Sequence, residues 1–260
     1  MGTPLVSTDE VTAWLRRCLG RDDTRVISTE DAGGHSGCLV LRCTVEVGES
    51  VTPIVLKVYR TGFDDYSALG PVGAARKHAL ALSELPTLRV PTPRCLGVSV
   101  RGDEVALAIE AIHAKPWPDG TRADAARILA RLHCIQMRKL SDELAALVAR
   151  STPNRGRVGS APEEPPLQEQ TLQHGDYFSV NIFATADGIR VLDWDLLALG
   201  DPMWDLGHLL EADRGLSEAE AAAVIQAYQQ VRPLDEARLR WQRACWRQFR
   251  ETRQRTEAGG

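Results

Sequence analysis

The sequence predicts an α+β protein of two lobes, a small β-rich N-terminal lobe and a helical C-terminal lobe, with a cleft between them. Three observations lead to this prediction. Strand-like patterns dominate the first third of the 260-residue chain, helical periodicity dominates from Thr121 onward, and a connection near Glu110 to Gly120 separates the two regions. We therefore place the N-terminal lobe at residues 1–110 and the C-terminal lobe at residues 111–260. A chain of this length can bury a sizeable core.

The N-terminal lobe is predicted to contain a first helix, then two hairpins with a helix between them. Thr8 precedes two acidic residues and an apolar periodicity that stops at Gly20, which is the pattern of a capped helix. The later elements are strands over Cys38–Val47 and Val51–Tyr59, a helix over Gly73–Leu85 and a hairpin over Arg94–Ile109. The first third is thus a small sheet with one inserted helix.

The C-terminal lobe is predicted to be mainly helical, with one short β-rich interval. Its elements are an amphipathic helix over Ala125–Leu140, a helix capped by Ser141 that runs to about Arg150, a flexible loop over Ser151–Pro166, a β-rich segment over Asn181–Asp193 and three helical segments after it. Ligand sites favour the cleft between two such lobes.

Composition excludes several classes of protein. The chain has no apolar run long enough to cross a bilayer and no start resembling a signal peptide, so we expect a soluble, cytoplasmic protein with no membrane partner. A formal net charge of −4 argues against a nucleic-acid partner. The basic stretch Arg232–Arg255 contains three aromatic residues, which favours a helix packed on the core over an RNA site. Six scattered cysteines predict reduced thiols, and no pattern indicates an oligomeric state.

A polar turn in the second half of the chain places a carboxylate, Asp176, five positions before a carboxamide, Asn181. Phosphoryl transfer can use both groups. The carboxylate can orient a substrate hydroxyl and accept its proton, and the amide oxygen can coordinate a divalent cation. Asp193 ends the following apolar strand, where it can meet the same cation. Because Mg²⁺ usually takes one or two carboxylates from a protein, Asp193 suffices as the principal anion.

These residues belong to a longer pattern, although each piece alone has an ordinary explanation as a turn or a cap. The pattern consists of His174-Gly175-Asp176, Asn181, the apolar-Asp-Trp strand end at Asp193, Gly200-Asp201-Pro202 and Asp205-Leu206. In it the sequence resembles the aminoglycoside phosphotransferase family, the small-molecule branch of the protein-kinase-like fold. The resemblance is strongest over Leu129–His133 and Leu172–Leu209.

This resemblance implies a bilobal protein-kinase-like fold whose cleft binds a nucleotide, and it implies roles for four acidic or amide side chains. Asp176 corresponds to the catalytic base, and Asn181 and Asp193 correspond to metal ligands. Asp205 corresponds to an Asp that braces the catalytic loop through backbone hydrogen bonds. For Asp195, a lean toward a second metal or the substrate and a solvated or capping role both stay open. The implied cofactors are ATP and Mg²⁺.

Such a fold requires a cation on a central strand of the N-terminal lobe, where it neutralises the α- and β-phosphates. Lys57 is the candidate, because its apolar neighbours predict a buried strand position. The alternative is an edge-strand lysine that points to water. Gly34 and Ser36 lie in a glycine-rich turn that can offer backbone N–H groups to phosphates, or that can be a plain hairpin turn. The connection at Glu110 and Ile112 can meet the adenine edge through backbone groups.

One position departs from the family pattern. The strand Lys is usually held by a Glu from the N-lobe helix, but His78 stands where that Glu is expected. Three accounts remain open: a register slip that brings in Glu84, a substitute acid at Asp64 or Asp65, or weakened nucleotide activation. The third account favours a nucleotide-binding pseudokinase with a protein partner.

The leading hypothesis is an enzyme that moves the γ-phosphoryl group of ATP to a hydroxyl of a small molecule. An aminoglycoside or related amino sugar is the first choice of acceptor, and a choline-like compound, an amino alcohol, a sugar or a nucleoside stays open. Acidic residues that could pair with amines, or be ordinary solvated surface, are Glu163, Glu164, Glu169, Glu211 and Asp213. Trp194 and Trp204 are predicted either to wall the acceptor site or to pack in the core.

Overall fold

The computed structural model describes residues 6–35, 37–60, 69–115, 117, 120–153, 163–212 and 216–258, and within them it has the two predicted lobes. The N-terminal elements are α1 (Thr8–Leu19), β1 (Thr24–His35), β2 (Cys38–Val47), β3 (Ser50–Tyr59), α2 (Gly70–Glu84), β4 (Cys95–Arg101) and β5 (Glu104–Glu110). The five strands form one antiparallel sheet in the order β1-β2-β3-β5-β4.

The two faces of this sheet have different partners because successive side chains of a strand point to opposite faces. Leu56 and Val58 of β3 belong to the core that α1 covers with Trp14 and Leu15. Tyr59 belongs to the core that contains the buried residues of α2. Lys57 therefore shares the α2 face with Tyr59, and that face continues into the cleft.

The first helix has the predicted bounds, but its N-cap lies one residue earlier than predicted. The hydroxyl of Ser7, and not of Thr8, accepts a hydrogen bond from the amide of Glu10 at 3.2 Å. Gly20 ends the helix in the left-handed conformation, with φ of 64°, which costs glycine little because it has no Cβ.

Within the described residues, the C-terminal lobe contains five α-helices and two antiparallel pairs of short strands. Its elements are α3 (Thr121–His133), α4 (Asp142–Arg150), β6 (Thr171–Gln173), β7 (Ile182–Thr185), β8 (Gly188–Val191), β9 (Ala198–Gly200), α5 (Pro202–Glu211), α6 (Glu218–Gln229) and α7 (Glu236–Ala258). Strand β6 pairs with β9 and β7 pairs with β8, both antiparallel.

The helix predicted over Ala125–Leu140 was too long, because α3 ends at His133. A distant side chain fixes this end, since Arg232 Nη1 donates to the carbonyl of His133 at 3.1 Å. Ser141 caps α4 as predicted, and its hydroxyl accepts from the amide of Leu144. Most of the loop predicted over Ser151–Pro166 lies outside the described residues.

Helices α5 and α7 pack closely because α5 carries Gly207 at their contact. A Cβ at this position would lie 3.1 Å from Cβ of Gln242 and 3.2 Å from a ring carbon of Trp246. The absent side chain thus lets the ring of Trp246 approach α5. Within the described part of the chain, no helix is both long and apolar enough to cross a membrane.

Candidate active site

The turn that follows β6 carries Asp176, and a buried carboxylate fixes its shape. Asp205, at the start of α5, accepts hydrogen bonds from the amide of His174 at 2.7 Å and from the amide of Gly175 at 2.9 Å. Gly175 has φ of 87°, and a Cβ there would lie 2.7 Å from Cβ of Leu196. The bracing contacts that the resemblance implied for Asp205 are therefore present.

The two carboxylate oxygens of Asp176 have different surroundings. Oδ2 accepts from Nδ2 of Asn181 at 2.8 Å, and the same Nδ2 donates to the backbone carbonyl of Asp176 at 2.9 Å. Oδ1 faces Nδ1 of His208 at 3.8 Å, which is too long for a hydrogen bond. Burial, and then the carboxylate of Asp193, raise the pKa of Asp176 to about 7. Oδ1 is thus the oxygen that can receive a proton from a substrate.

Asp193 and Asn181 lie side by side where β8 meets the turn. The amide of Leu192 donates to the backbone carbonyl of Asn181 at 2.8 Å, which joins the two segments. Asp193 has φ of 62°, a left-handed conformation that Asp and Asn adopt more readily than other side chains. Because the amide nitrogen of Asn181 is bonded to Asp176, its oxygen is the atom that can face a cation. This all-oxygen pair fits the hard cation predicted here.

Lys57 is buried and bonded to two carboxylates of the other lobe. Its Nζ lies 2.9 Å from Oδ1 of Asp193 and 2.6 Å from Oδ2 of Asp195. Burial alone would lower the pKa of Lys57, but these two carboxylates hold it above its usual value. His78, Asp193 and Asp195 lie close enough to hold a metal ion, but Lys57 already bonds both carboxylates and makes the cluster an ammonium site.

Asp195 takes the place of the expected helix Glu as the partner of Lys57. The hydroxyl of Tyr59 donates to Oδ1 of Asp195 at 2.6 Å, and Nδ1 of His78 lies 2.7 Å from the same oxygen. Burial would raise the pKa of Asp195, but Lys57 and His78 hold it well below its usual value. The alternative that Asp195 is solvated is therefore wrong.

One of the accounts of the missing helix Glu can now be judged. Glu84 caps α4, since its carboxylate accepts from the amide of Ser141 at 2.8 Å and from the hydroxyl of Ser141 at 2.6 Å. The register slip that brought Glu84 to Lys57 is therefore wrong. Asp64 and Asp65 lie outside the described residues. We name Lys57, Asp195, Tyr59 and His78 the lysine cluster.

A cavity of about 650 Å³ lies between the lobes and contains most of the predicted nucleotide-site residues. Its lining includes Gly34, Lys57, Glu110, Ile112, Asp176, Asn181 and Asp193, with apolar walls from Cys38, Val40, Val55, Ile109 and Leu192. Ser36 lies outside the described residues. The amide of Glu110 donates to the carbonyl of Arg94 at 3.0 Å, so this amide is not open to a bound base.

The acidic residues predicted near the acceptor are mostly paired with arginines. Glu164 lies 2.9 Å from Arg238, and Glu169 lies 2.5 Å from Arg232. Glu211 is buried and bonded to Arg243 at 2.5 Å and to Arg247 at 3.0 Å. Glu164 and Glu169 are exposed, in agreement with the solvated-surface alternative, whereas Glu211 is buried and held by its arginines. Asp213 lies outside the described residues, and Glu163 is exposed.

Trp194 and Trp204, the two tryptophans that could have formed a wall of the acceptor site, belong to the core. Trp194 is fully buried, and its Nε1 donates to the carbonyl of Val191 at 3.0 Å. Trp204 is also buried, and its Nε1 donates to the carbonyl of Gly175 at 3.2 Å, which adds a second brace to the turn. The packing alternative was therefore the correct one.

The sequence did not reveal three features of the site: the contact of Tyr59 with Asp195, the ion pair of Asp195 with Lys57, and the position of His208 beside Asp176. Tyr59 ends an apolar strand and was indistinguishable from a core aromatic residue. A signal existed for His208, because this polar residue interrupts the apolar run Leu206–Leu210 directly after the Gly-Asp-Pro motif. Burial of a polar side chain is costly unless it forms a hydrogen bond, so a buried histidine at this position is a candidate functional residue.

Comparisons with known proteins agree on family and fold. Residues 39–242 match the model of a family described as the phosphotransferase enzyme family. Among solved structures, an aminoglycoside-3′-phosphotransferase of type VIII superposes with a TM-score of 0.56, at 19% identity, over 87% of this chain and 94% of the other. An aminoglycoside phosphotransferase of Streptomyces rimosus gives 0.53, at 17% identity, over 92% and 97%.

The fold is shared more widely than one type of acceptor. An ethanolamine kinase of Plasmodium vivax superposes with a TM-score of 0.53, at 12% identity, over 87% of this chain and 73% of the other. No curated protein matches the chain in sequence. The family match and the superpositions confirm the predicted family and the predicted bilobal, kinase-like α+β fold.

Proposed function

Because the chain belongs to the phosphotransferase enzyme family, we propose that it moves the γ-phosphoryl group of ATP to a hydroxyl group of a small molecule. One observation carries this proposal. The free carboxylate oxygen of Asp176 shares a single cavity with the cation ligands Asn181 and Asp193 and with the ammonium of Lys57.

In the proposed reaction the acceptor oxygen forms a bond to the γ-phosphorus while the bond from that phosphorus to the bridging oxygen breaks, and ADP leaves. The proton of the hydroxyl passes to Oδ1 of Asp176, the oxygen that Asn181 does not occupy. Asn181 and Asp193 would hold Mg²⁺, which supplies charge neutralisation to the phosphates. Lys57 would turn from the carboxylates toward the α- and β-phosphates.

The acceptor itself is the finer part of the proposal. An aminoglycoside or related amino sugar stays our first choice by family, and ethanolamine-like compounds follow from the shared fold. The buried Glu211 gives no support to a polycationic acceptor, because its carboxylate is already bonded to Arg243 and Arg247. The panel of acceptors must therefore include weakly charged and neutral alcohols.

The pseudokinase alternative loses the observation that favoured it. His78 in place of a helix Glu suggested that Lys57 lacks a carboxylate partner. In the structure Lys57 has two such partners, and His78 supports one of them. This pairing of Lys57 supports an active phosphotransferase over a pseudokinase.

The decisive experiment measures ADP release with kanamycin, ethanolamine, choline, glucose and adenosine as acceptors, using wild-type protein and Asp176→Asn. We expect the variant to lose activity at least about 100-fold, because it removes the general base. Binding of Mg²⁺-ATP, followed by isothermal calorimetry, should stay within about threefold. Asp193→Ala should instead lose the Mg²⁺-dependent part of ATP binding.

The matched control is Asp187→Asn, the same chemical change at an exposed turn of the same lobe. It should leave both activity and binding unchanged. An Asp176→Asn protein as active as this control contradicts the assignment of the base. A wild-type protein that binds Mg²⁺-ATP but releases no ADP with a broad set of alcohols contradicts the proposed function.

A further inference from the structure

His208 of α5 is a buried histidine held between two aromatic rings. Its ring stacks on Trp246 of α7 with centroids 3.7 Å apart and planes 5° apart. On its other side it stacks on Phe178, with centroids 4.5 Å apart and planes 23° apart. Only 5% of the residue is exposed. The ring plane is thus fixed, and with it the direction in which each ring nitrogen points.

The Nδ1 atom of His208 is buried and has no hydrogen-bond partner among the described residues. An unpaired polar atom in such a place costs about 1–3 kcal/mol, so a ligand that pairs with it gains correspondingly. The nearest carboxylate oxygen of the catalytic turn is Oδ1 of Asp176, 3.8 Å away. That is the oxygen left free by Asn181.

A separation of 3.8 Å is too long for a direct hydrogen bond, but one oxygen about 2.8 Å from each atom would contact both. Because Nδ1 is fully buried and His208 does not line the cavity, the entry of this oxygen requires a small movement of the surrounding side chains. The acceptor hydroxyl of the proposed reaction is such an oxygen. It has one hydrogen to donate to Asp176 and two lone pairs. One lone pair attacks the phosphorus, and the other is open to a donor.

We propose that His208 donates a hydrogen bond from Nδ1–H to the acceptor hydroxyl that Asp176 deprotonates, and so selects and positions the reacting oxygen. This inference rests on the proposed function and deepens it by adding a second residue that touches the acceptor. The proton still passes from the hydroxyl to Asp176, and the histidine keeps its own hydrogen throughout.

The protonation state of the ring suits this role. Burial lowers the pKa of His208 to about 3, so the imidazole is neutral near pH 7 and carries one hydrogen. Two lone pairs facing each other would repel when Asp176 is ionised, whereas Nδ1–H attracts the carboxylate oxygen. The tautomer with hydrogen on Nδ1 is therefore the one that the neighbouring carboxylate favours.

This arrangement has a consequence for the chemical class of the acceptor group. An alkylammonium group has no lone pair and cannot accept a hydrogen bond from His208. A hydroxyl oxygen can. The pair of Asp176 and His208 therefore selects an alcohol over a protonated amine at the reacting position, which matters when one molecule carries both groups.

Two substitutions separate the hydrogen bond from the packing of the ring. His208→Phe keeps a flat ring between Phe178 and Trp246 but removes the donor. His208→Asn loses the stacking but keeps an N–H close to the position of Nδ1. For the panel compound that the wild-type protein phosphorylates fastest, we expect kcat/KM of the acceptor to fall about 10- to 100-fold in His208→Phe.

In His208→Asn we expect a smaller loss of kcat/KM for the acceptor than in His208→Phe. The KM for ATP should change in neither variant. Thermal melting of both proteins shows that they are folded, and His113→Phe, at an exposed position, serves as the control. The proposal is overturned if His208→Phe stays within threefold of the wild-type protein. It is also overturned if only His208→Asn is impaired, because stacking would then be the sole role of the ring.

A second measurement does not require an acceptor. In protein labelled with nitrogen-15 histidine, the ring correlations of His208, assigned by their loss in His208→Phe, report which nitrogen bears the hydrogen. We expect it on Nδ1, and a ring protonated on Nε2 overturns the proposal. If the wild-type protein phosphorylates nothing, the proposed function fails, and this tautomer still decides whether His208 presents a donor to Asp176.

Discussion

The two sides of the cleft treat their polar groups in opposite ways. On the nucleotide side, the lysine cluster bonds its ammonium, carboxylate, hydroxyl and imidazole groups to one another. On the acceptor side, Asp176 keeps one oxygen free and His208 keeps an unpartnered nitrogen. The first side is therefore held by internal ion pairs, whereas the second side leaves two polar atoms unpaired, which agrees with our proposal that an acceptor binds there.

The largest effect should follow from opening the lysine cluster at its centre. Asp195→Asn leaves the buried ammonium of Lys57 with Asp193 alone. Removing one partner of a buried ion pair costs about 3–5 kcal/mol, so we expect urea unfolding to show a loss of about 3 kcal/mol. ADP release should fall at least about 100-fold. Asp187→Asn is the matched control, and equal behaviour of the two variants would show that the cluster does not hold the lysine.

A smaller effect is expected from substitutions that test whether Lys57 is held by an acid at position 78 or at position 195. His78→Glu introduces the residue type that the kinase-like fold usually has there, but it faces the carboxylate of Asp195 with a second negative charge. His78→Asn keeps a donor near the position of Nδ1. We expect kcat/KM for ATP to fall about tenfold in His78→Glu and less in His78→Asn. An increase of activity in His78→Glu would contradict the view that Asp195 replaces the helix acid.

The smallest effect concerns the acceptor lobe, where His133, His174 and His208 are buried. Burial lowers the pKa of all three, so the unfolded chain binds protons that the folded chain does not. The contribution of these three histidines to stability is therefore complete above about pH 6.5 and decreases as the pH falls below that value. For His208 this contribution should differ by about 1 kcal/mol between pH 7.5 and 5.5, measured as the difference between the urea unfolding of the wild-type protein and that of His208→Phe.

Site residues could be predicted from the sequence where a local pattern of residues also indicates their chemistry. Lys57 stands out because a charged residue on an apolar strand is unusual, and Asp205 was identifiable from its motif. The partner of Lys57 was not predictable, because Asp195 lies in the other lobe and reaches it only after folding. The early end of α3 has the same origin, since the group that caps His133 is the distant Arg232. His208 required knowledge of which atoms around it stay unpaired.

The bonding of Asp195 also bears on how this site can evolve. Position 195 carries the charge that the family pattern places at position 78, and it holds Lys57 together with Asp193. Acids at both positions 78 and 195 would repel each other, and an acid at neither would leave the ammonium with Asp193 alone. Positions 78 and 195 are therefore expected to vary as a pair, with one acid between them, among the descendants of this gene.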